Sequence, residues 1–211
     1  MMLEQNPLSW ANIAPNGSVR HNGVMGRPKK FSREDVLDKT ISVFWKHGLA
    51  ETTVQDLERA TRVNKSGLYA EFKNKEDLFI ASLRRYFETL QYRGTLTIEP
   101  LGWSNIESFL KQCNGSWGWW GQKGCFSVNS MREFSDLPVE ARKLMIRSVM
   151  RIRRQLIRNL SAARQKRRGN EGLADLIITF FTGISLEQNF DPTEKQIAHK
   201  IAQFMGLIRA M

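Results

Sequence analysis

An all-α fold follows from three features of the sequence. No segment sustains the period-two alternation of a half-buried strand, apolar residues recur at three- and four-residue spacings, and cap-then-acid signatures precede the apolar runs. Residues 1–25 hold few apolar side chains, no clear period and the turn formers Pro7, Pro15, Gly17 and Gly23, so this N-terminal extension is expected to be disordered. Met25 opens the run MGRPKKFSRED, which reads as a natural start, with residues 1–24 as an extension upstream of it. Ser32 with Asp35 three residues on is a capping-box-like start. The first helix is predicted to run to His47 with Val36, Leu37, Thr40, Ile41, Val43 and Phe44 on its inner side, and Gly48 ends it. Thr52 or Thr53 caps a short helix, VQDLERA, turned inward by Val54 and Leu57. NKSGLYAEF follows as another short helix, with Leu68 and Phe72 at i, i+4 facing the core. Asn74-Lys75-Glu76-Asp77 then starts a long helix through Leu78, Phe79, Leu83, Phe87 and Leu90, closing a three-helix module. Further helices are expected near residues 103–119, 125–135, 138–168, 171–188 and 192–210, with Pro138 and Pro192 in first turns, where a missing N–H is harmless.

Composition narrows the class. The longest apolar stretches, such as Leu176–Phe181, fall far short of the ~20 residues a membrane-spanning helix needs. No basic region followed by an apolar run opens the N-terminus, so a cytoplasmic protein is expected. Cys113 and Cys125 are too few for a disulfide framework, and His21, His47 and His199 are scattered, so no metal or cofactor is predicted. No nucleophile–base pair or phosphate loop appears, which argues against an enzyme. The formal net charge of +11 points to an anionic partner. Its placement is uneven: residues 138–168 carry 11 Lys and Arg against Glu140 alone, whereas residues 26–75 carry 11 against seven acids.

Two short helices joined by a tight connection, the second with small, polar and basic residues on its free face, suit the major groove, about 12 Å wide. Leu57, Val63, Leu68 and Phe72 lock the pair, leaving Gln55, Lys65, Ser66, Gly67 and Tyr69 outward. The run TTVQDLERATRVNKSGLYAEFKNKEDLF, and the whole stretch from Gly26 to about Leu83, resembles the DNA-binding helices of the TetR/AcrR family of transcriptional repressors. The resemblance rests on the paired Thr start, Leu57, Val-x-Lys before the second helix, Leu-Tyr inside it, and Phe-x-Asn-Lys-Glu-Asp-Leu after it. It implies that Thr53 anchors a phosphate and Gln55 approaches bases. Lys65, Ser66 and Gly67 would open the recognition helix, while Tyr69 and Lys75 meet the DNA backbone. Packing for Tyr69 and plain exposure for Lys75 are the alternatives. Arg62 stands where the family often has Gly, and a left-handed backbone there costs about 1 kcal/mol. Gly67 stands where Thr is common, so base preference there does not carry over. The arm Arg27, Lys29, Lys30 either enters a minor groove or is a solvated tail.

The resemblance implies a helix-turn-helix DNA-binding domain over residues 26–80 and a helical ligand-binding and dimerisation domain over residues 81–211. Within the latter, CNGSWGWWGQKGCF concentrates aromatic residues: Trp117, Trp119 and Trp120 either wall an effector cavity or pack in the core. Cys125, expected at a helix start, is either a thiolate sensor lowered by the helix dipole or a buried thiol. Arg147, Arg151, Arg154 and Arg158 form one stripe, opposite Met145, Val149, Ile152, Leu156, Leu160 and Ala163. The stripe faces solvent, borders an anionic effector, or attracts DNA or membrane nonspecifically. The last two helices carry more apolar surface than outer helices need, and in the family the equivalent pair forms a dimeric four-helix bundle. The expected function is a homodimeric repressor released from a palindromic double-stranded operator by a small-molecule effector. A redox or electrophile sensor acting through Cys125 is the alternative, and an architectural or membrane-surface protein using the basic helix is the third reading.

Overall fold

The computed structural model describes residues 31–90, 92–112, 120–164 and 169–211, and every regular element among them is helical. Helix α1 (Arg33–Glu51) starts where Ser32 Oγ accepts the Asp35 amide at 3.0 Å. Gly48, at φ 78°, breaks the helix as the sequence predicts, a conformation L side chains rarely adopt. Helix α2 (Val54–Thr61) has Thr53 as its cap, in a full capping box with Asp56. Helix α3 (Lys65–Glu71) is capped by Asn64, and α4 (Lys75–Thr89) by Asn74. Leu57, Val63, Leu68 and Phe72 are all buried, which fixes α2 against α3.

Helix α1 packs along α4 through their apolar faces. Thr40 and Ser82 exchange a buried hydroxyl hydrogen bond of 2.9 Å, and Arg85 grips Asp38 through two bonds of 3.1 and 3.0 Å. Trp45, buried here though absent from the predicted inner face of α1, sits among Tyr86, Trp120 and Phe126 with ring centroids 5.3–6.3 Å away.

After a short helix α5 (Tyr92–Thr95), which the periodicity did not predict, come α6 (Trp103–Lys111) and α7 (Phe126–Asn129), the latter continuing as a 3-10 turn, Ser130–Glu133. The long α8 (Val139–Ala163), α9 (Asn170–Glu187) and α10 (Glu194–Ala210) complete the fold.

Several boundaries differ from expectation, including the end of α8, at Ala163 rather than residue 168. The helix expected over 103–119 ends at Lys111, and residues 113–119 of that expectation lie outside the described residues. The helix expected over 125–135 is one α turn, Phe126–Asn129, continued by a 3-10 turn, Ser130–Glu133. Pro138 is the cap of α8 rather than a first-turn residue. Pro192 precedes its helix, since Thr193 and Gln196 form a capping box that satisfies two amide donors and sets the start.

One buried polar residue organises the C-terminal part. Asn159 donates to the carbonyls of Leu96 and Gln155 and accepts from Gly102 N–H and Asn105 Nδ2, all within 3.0 Å. It staples α8 to the segment between α5 and α6.

Candidate nucleic-acid interface and effector cavity

The free face of α3 is built from behind. Arg62 takes the left-handed conformation, φ 60° and ψ 25°, which the turn after α2 requires. Asn64 Oδ1 accepts the Gly67 amide at 2.9 Å, and Glu58 of α2 accepts the Lys65 amide at 2.5 Å. At the other end, Arg33 of α1 lies 4.2 Å over the Phe72 ring and donates to the Glu71 carbonyl at 3.1 Å. A cation beside the last carbonyls suits the negative end of the helix. With both ends held, Lys65 and Ser66 are exposed and Tyr69 half-exposed, Lys65 Nζ lying 6.0 Å from the Tyr69 ring centroid. Gln55 is exposed on α2 beside them in sequence order.

Gly67 has a packing reason. A Cβ there would stand 2.7 Å from Val63 Cγ1 and 3.5 Å from the Phe31 ring. Thr53 is exposed, but its hydroxyl already donates to Asp56 Oδ2 at 2.6 Å and accepts the Asp56 amide. The Thr53 hydrogen bonds hold the Asp56 carboxyl below the usual carboxylate range. Lys75 Nζ donates to the carbonyls of Thr52 (2.8 Å) and Ala50 (3.3 Å), so its ammonium bridges α4 to the α1–α2 junction. Arg27, Lys29 and Lys30 lie outside the described residues.

The same junction is held from the C-terminal side. Glu133 accepts the amides of Leu49 at 3.0 Å and Ala50 at 2.7 Å. A Cβ on Gly48 would fall 1.8 Å from the Glu133 carboxylate, so the glycine makes room for this clamp as well as for the positive φ. Sequence reasoning missed Glu133, Arg33 and Glu58. Arg33 at the first turn of a helix and Glu58 in an amphipathic one look like ordinary surface charges, and no local pattern marks Glu133.

Two residues before Glu133, Met131 lines a small cavity of about 30 Å³, with Phe87, Cys125, Val149, Ile152 and Phe181. That volume holds little more than a water molecule. Trp120, expected as a possible cavity wall, packs in the aromatic core and is absent from this lining. Trp117 and Trp119 lie outside the described residues. Cys125 does precede a helix, but α7 has only four residues, too few for a strong dipole, and the thiol is buried. Burial pushes the Cys125 thiol up, and hydrogen bonds from Tyr86 Oη (3.3 Å) and the Val128 and Ser127 amides oppose this without reversing it. Of the two readings of Cys125, the thiol's burial and raised pKa fit the buried thiol: desolvation outweighs the helix terminus.

The arginine stripe is exposed along its length, with Met145, Ile152, Leu156 and Leu160 buried opposite.

These features define a helix-turn-helix protein with a larger helical body. Residues 36–82 match the family model described as bacterial regulatory proteins, tetR family. Over 63 residues the chain is 51% identical to the HTH-type transcriptional repressor ComR of Escherichia coli strain K12, and the match spans 30% of each protein. The fold is similar to that of a cysteine-substituted TetR family regulator, CifR, complexed with 26-bp double-strand operator DNA: TM-score 0.72, 20% identity, covering 85% of this chain and 98% of that one. It is also similar to AibR in complex with isovaleryl coenzyme A and operator DNA, with TM-score 0.64, 18% identity and coverage of 82% and 95%. The family match thus covers the helix-turn-helix segment, while the helical body is similar to these structures in fold.

Proposed function

We propose that this chain is a homodimeric, sequence-specific transcriptional repressor that leaves a palindromic operator when a small molecule occupies its C-terminal cavity. The observation that carries the reading is the α3 face: Lys65, Ser66 and Tyr69 stand free on a helix fixed at both ends, in the segment most similar to a known repressor. Amide and ammonium groups read base edges, while hydroxyls and helix N-termini hold phosphates. Gln55 and Lys65 serve the first role, and Ser66, Tyr69 and the α2 N-terminus that Thr53 caps serve the second. Residues 26–80 act as the DNA-binding domain and 81–211 as the ligand and dimer domain. Work on chromosomal DNA places the protein in the cytoplasm.

The dimer rests on two exposed stripes. On α9, Gly172, Leu176, Thr179, Gly183 and Leu186, and then Phe190 in the 3-10 turn after it, are exposed at alternating spacings of four and three. On α10, Ala198, Ala202, Gly206 and Leu207 are exposed. Small and apolar side chains repeated at that period suit close helix packing against a second copy. A two-fold dimer sets two recognition helices about one DNA turn apart.

Release follows from the junction. The cavity is too small for an effector in this conformation, so binding selects a state in which its walls part. Those walls include Met131, and Glu133 two residues later holds the α1–α2 junction. Opening the cavity therefore shifts the support of the DNA-binding helices. The buried, raised thiol of Cys125 supports this reading over a thiol switch.

The test is a gel shift on the DNA upstream of the gene against random competitor. A selective shift that weakens at least about tenfold in Lys65→Ala and Tyr69→Ala proteins is expected. Equal affinity for random duplex would overturn the reading.

A further inference from the structure

We infer that the effector is an amphiphilic anion, an apolar chain ending in a carboxylate or phosphate, laid across α8. This rests on the effector-binding role proposed above and names its chemical class.

Three depressions share one wall. Beside the small cavity lies a polar recess of about 370 Å³ lined by Arg84, Glu88, Arg147 and Arg151, and the two have Phe87 and Ser148 in common. On the opposite side lies an apolar groove of about 360 Å³ with Phe134, Ile146 and Met150 in its wall, sharing Met131 and Val149 with the cavity. Helix α8 contributes to all three: Arg147 and Arg151 one turn apart on one side, Ile146 and Met150 one turn apart on the other, and Val149 and Ile152 between. The path thus grades from cationic to wholly apolar over about the width of a helix, ~10 Å.

The charge balance selects the sign of the head group. Arg84 is engaged by Glu140 at 2.9 Å. Arg147 and Arg151 form no ion pair with the described residues, and Glu88 is the one acid in the recess lining. An anion placed there gains two guanidinium partners in fork geometry, whereas a cation meets net repulsion. The apolar groove has no charged lining residue, so it rewards hydrocarbon and penalises a second charge. Bound in this way the chain passes Met131, the residue through which the cavity connects to the Glu133 clamp.

The experiment is calorimetric titration of the full chain, without DNA, by four eight-carbon probes: octanoate, octyl phosphate, octanol and octylamine. Saturable binding of octanoate or octyl phosphate is expected, at least about tenfold tighter than octanol or octylamine. Which anion binds tighter identifies the head group. The exposed pair Arg147→Gln/Arg151→Gln should lose that advantage while leaving octanol binding unchanged, and Ile152→Ala should weaken all four. Octanol binding as tightly as the anions, unchanged anion affinity in the arginine variant, or no saturable binding by any of the four would overturn the inference. A parallel gel shift separates the two readings: an anion that binds as expected without altering a selective shift leaves this inference standing and sinks effector-driven release.

Discussion

Arg62 holds a left-handed backbone that favours glycine, with its amide donating to the Glu58 carbonyl at 2.8 Å. The strain is intrinsic to any L side chain bearing a Cβ and costs on the order of 1 kcal/mol. Arg62→Gly is expected to raise the unfolding free energy by up to about 1 kcal/mol, reduced by the greater freedom glycine has in the unfolded chain. Denaturant unfolding measures this, and a loss of stability would mean that the arginine side chain carries a compensating contact. Gly48 is the reverse case: its positive φ and the nearby Glu133 carboxylate both exclude a side chain.

At the scale of elements, the α1–α2 junction is bound from two sides. Lys75 takes its carbonyls and Glu133 its amides, so a cation and an anion satisfy opposite ends of the same peptide segment. Hydrogen bonds to charged groups contribute roughly 1.5–3 kcal/mol, the half-buried setting here favouring the lower end. Glu133→Gln keeps the shape but removes the charge and turns one acceptor into a donor. It is expected to cost about 1 kcal/mol and to speed hydrogen exchange at the Leu49 and Ala50 amides while leaving exchange in α9 and α10 unchanged. Unaltered exchange at those two amides would remove Glu133 from the coupling route. Asn159 does the comparable work between α8 and the α5–α6 segment, where its four hydrogen bonds use both donors and both acceptor lone pairs of its amide.

For the whole molecule, the issue is how an exposed apolar face is covered. Phe190, Leu207 and Met211 are 84%, 69% and 71% exposed, far more than outer helices need, whereas Ile197, Ile201, Met205 and Ile208 on the inner side of α10 are buried. Phe180 and Phe204 stack at 3.8 Å and tie α9 to α10, so both stripes belong to one paired surface. Leu207→Glu is expected to shift sedimentation from two copies to one, weakening the dimer by at least about tenfold, and to weaken operator binding with it. The fold itself should persist, because the substituted side chain points away from the core. A Leu207→Glu protein that still sediments as a dimer would place the interface elsewhere.

Local chemistry was legible wherever neighbours in the chain settle the outcome. Ser32, Thr53 and Asn74 announce helix starts because a cap satisfies amides only three residues away, and Leu57, Val63, Leu68 and Phe72 announce the helix pair through spacing. At Arg62 the resemblance marked a departure from the family's glycine and left the local geometry open; the backbone there is left-handed. What required three dimensions was every contact between distant segments: Glu133 on Leu49 and Ala50, Asn159 on Leu96 and Gly102, Lys75 on the α1–α2 junction, and the desolvation that lifts the Cys125 thiol. Hydrophobic periodicity is a short-range signal with the repeat of the helix. A hydrogen bond across 84 residues, or the dielectric around a sulfur, depends on which surfaces the folded chain brings together.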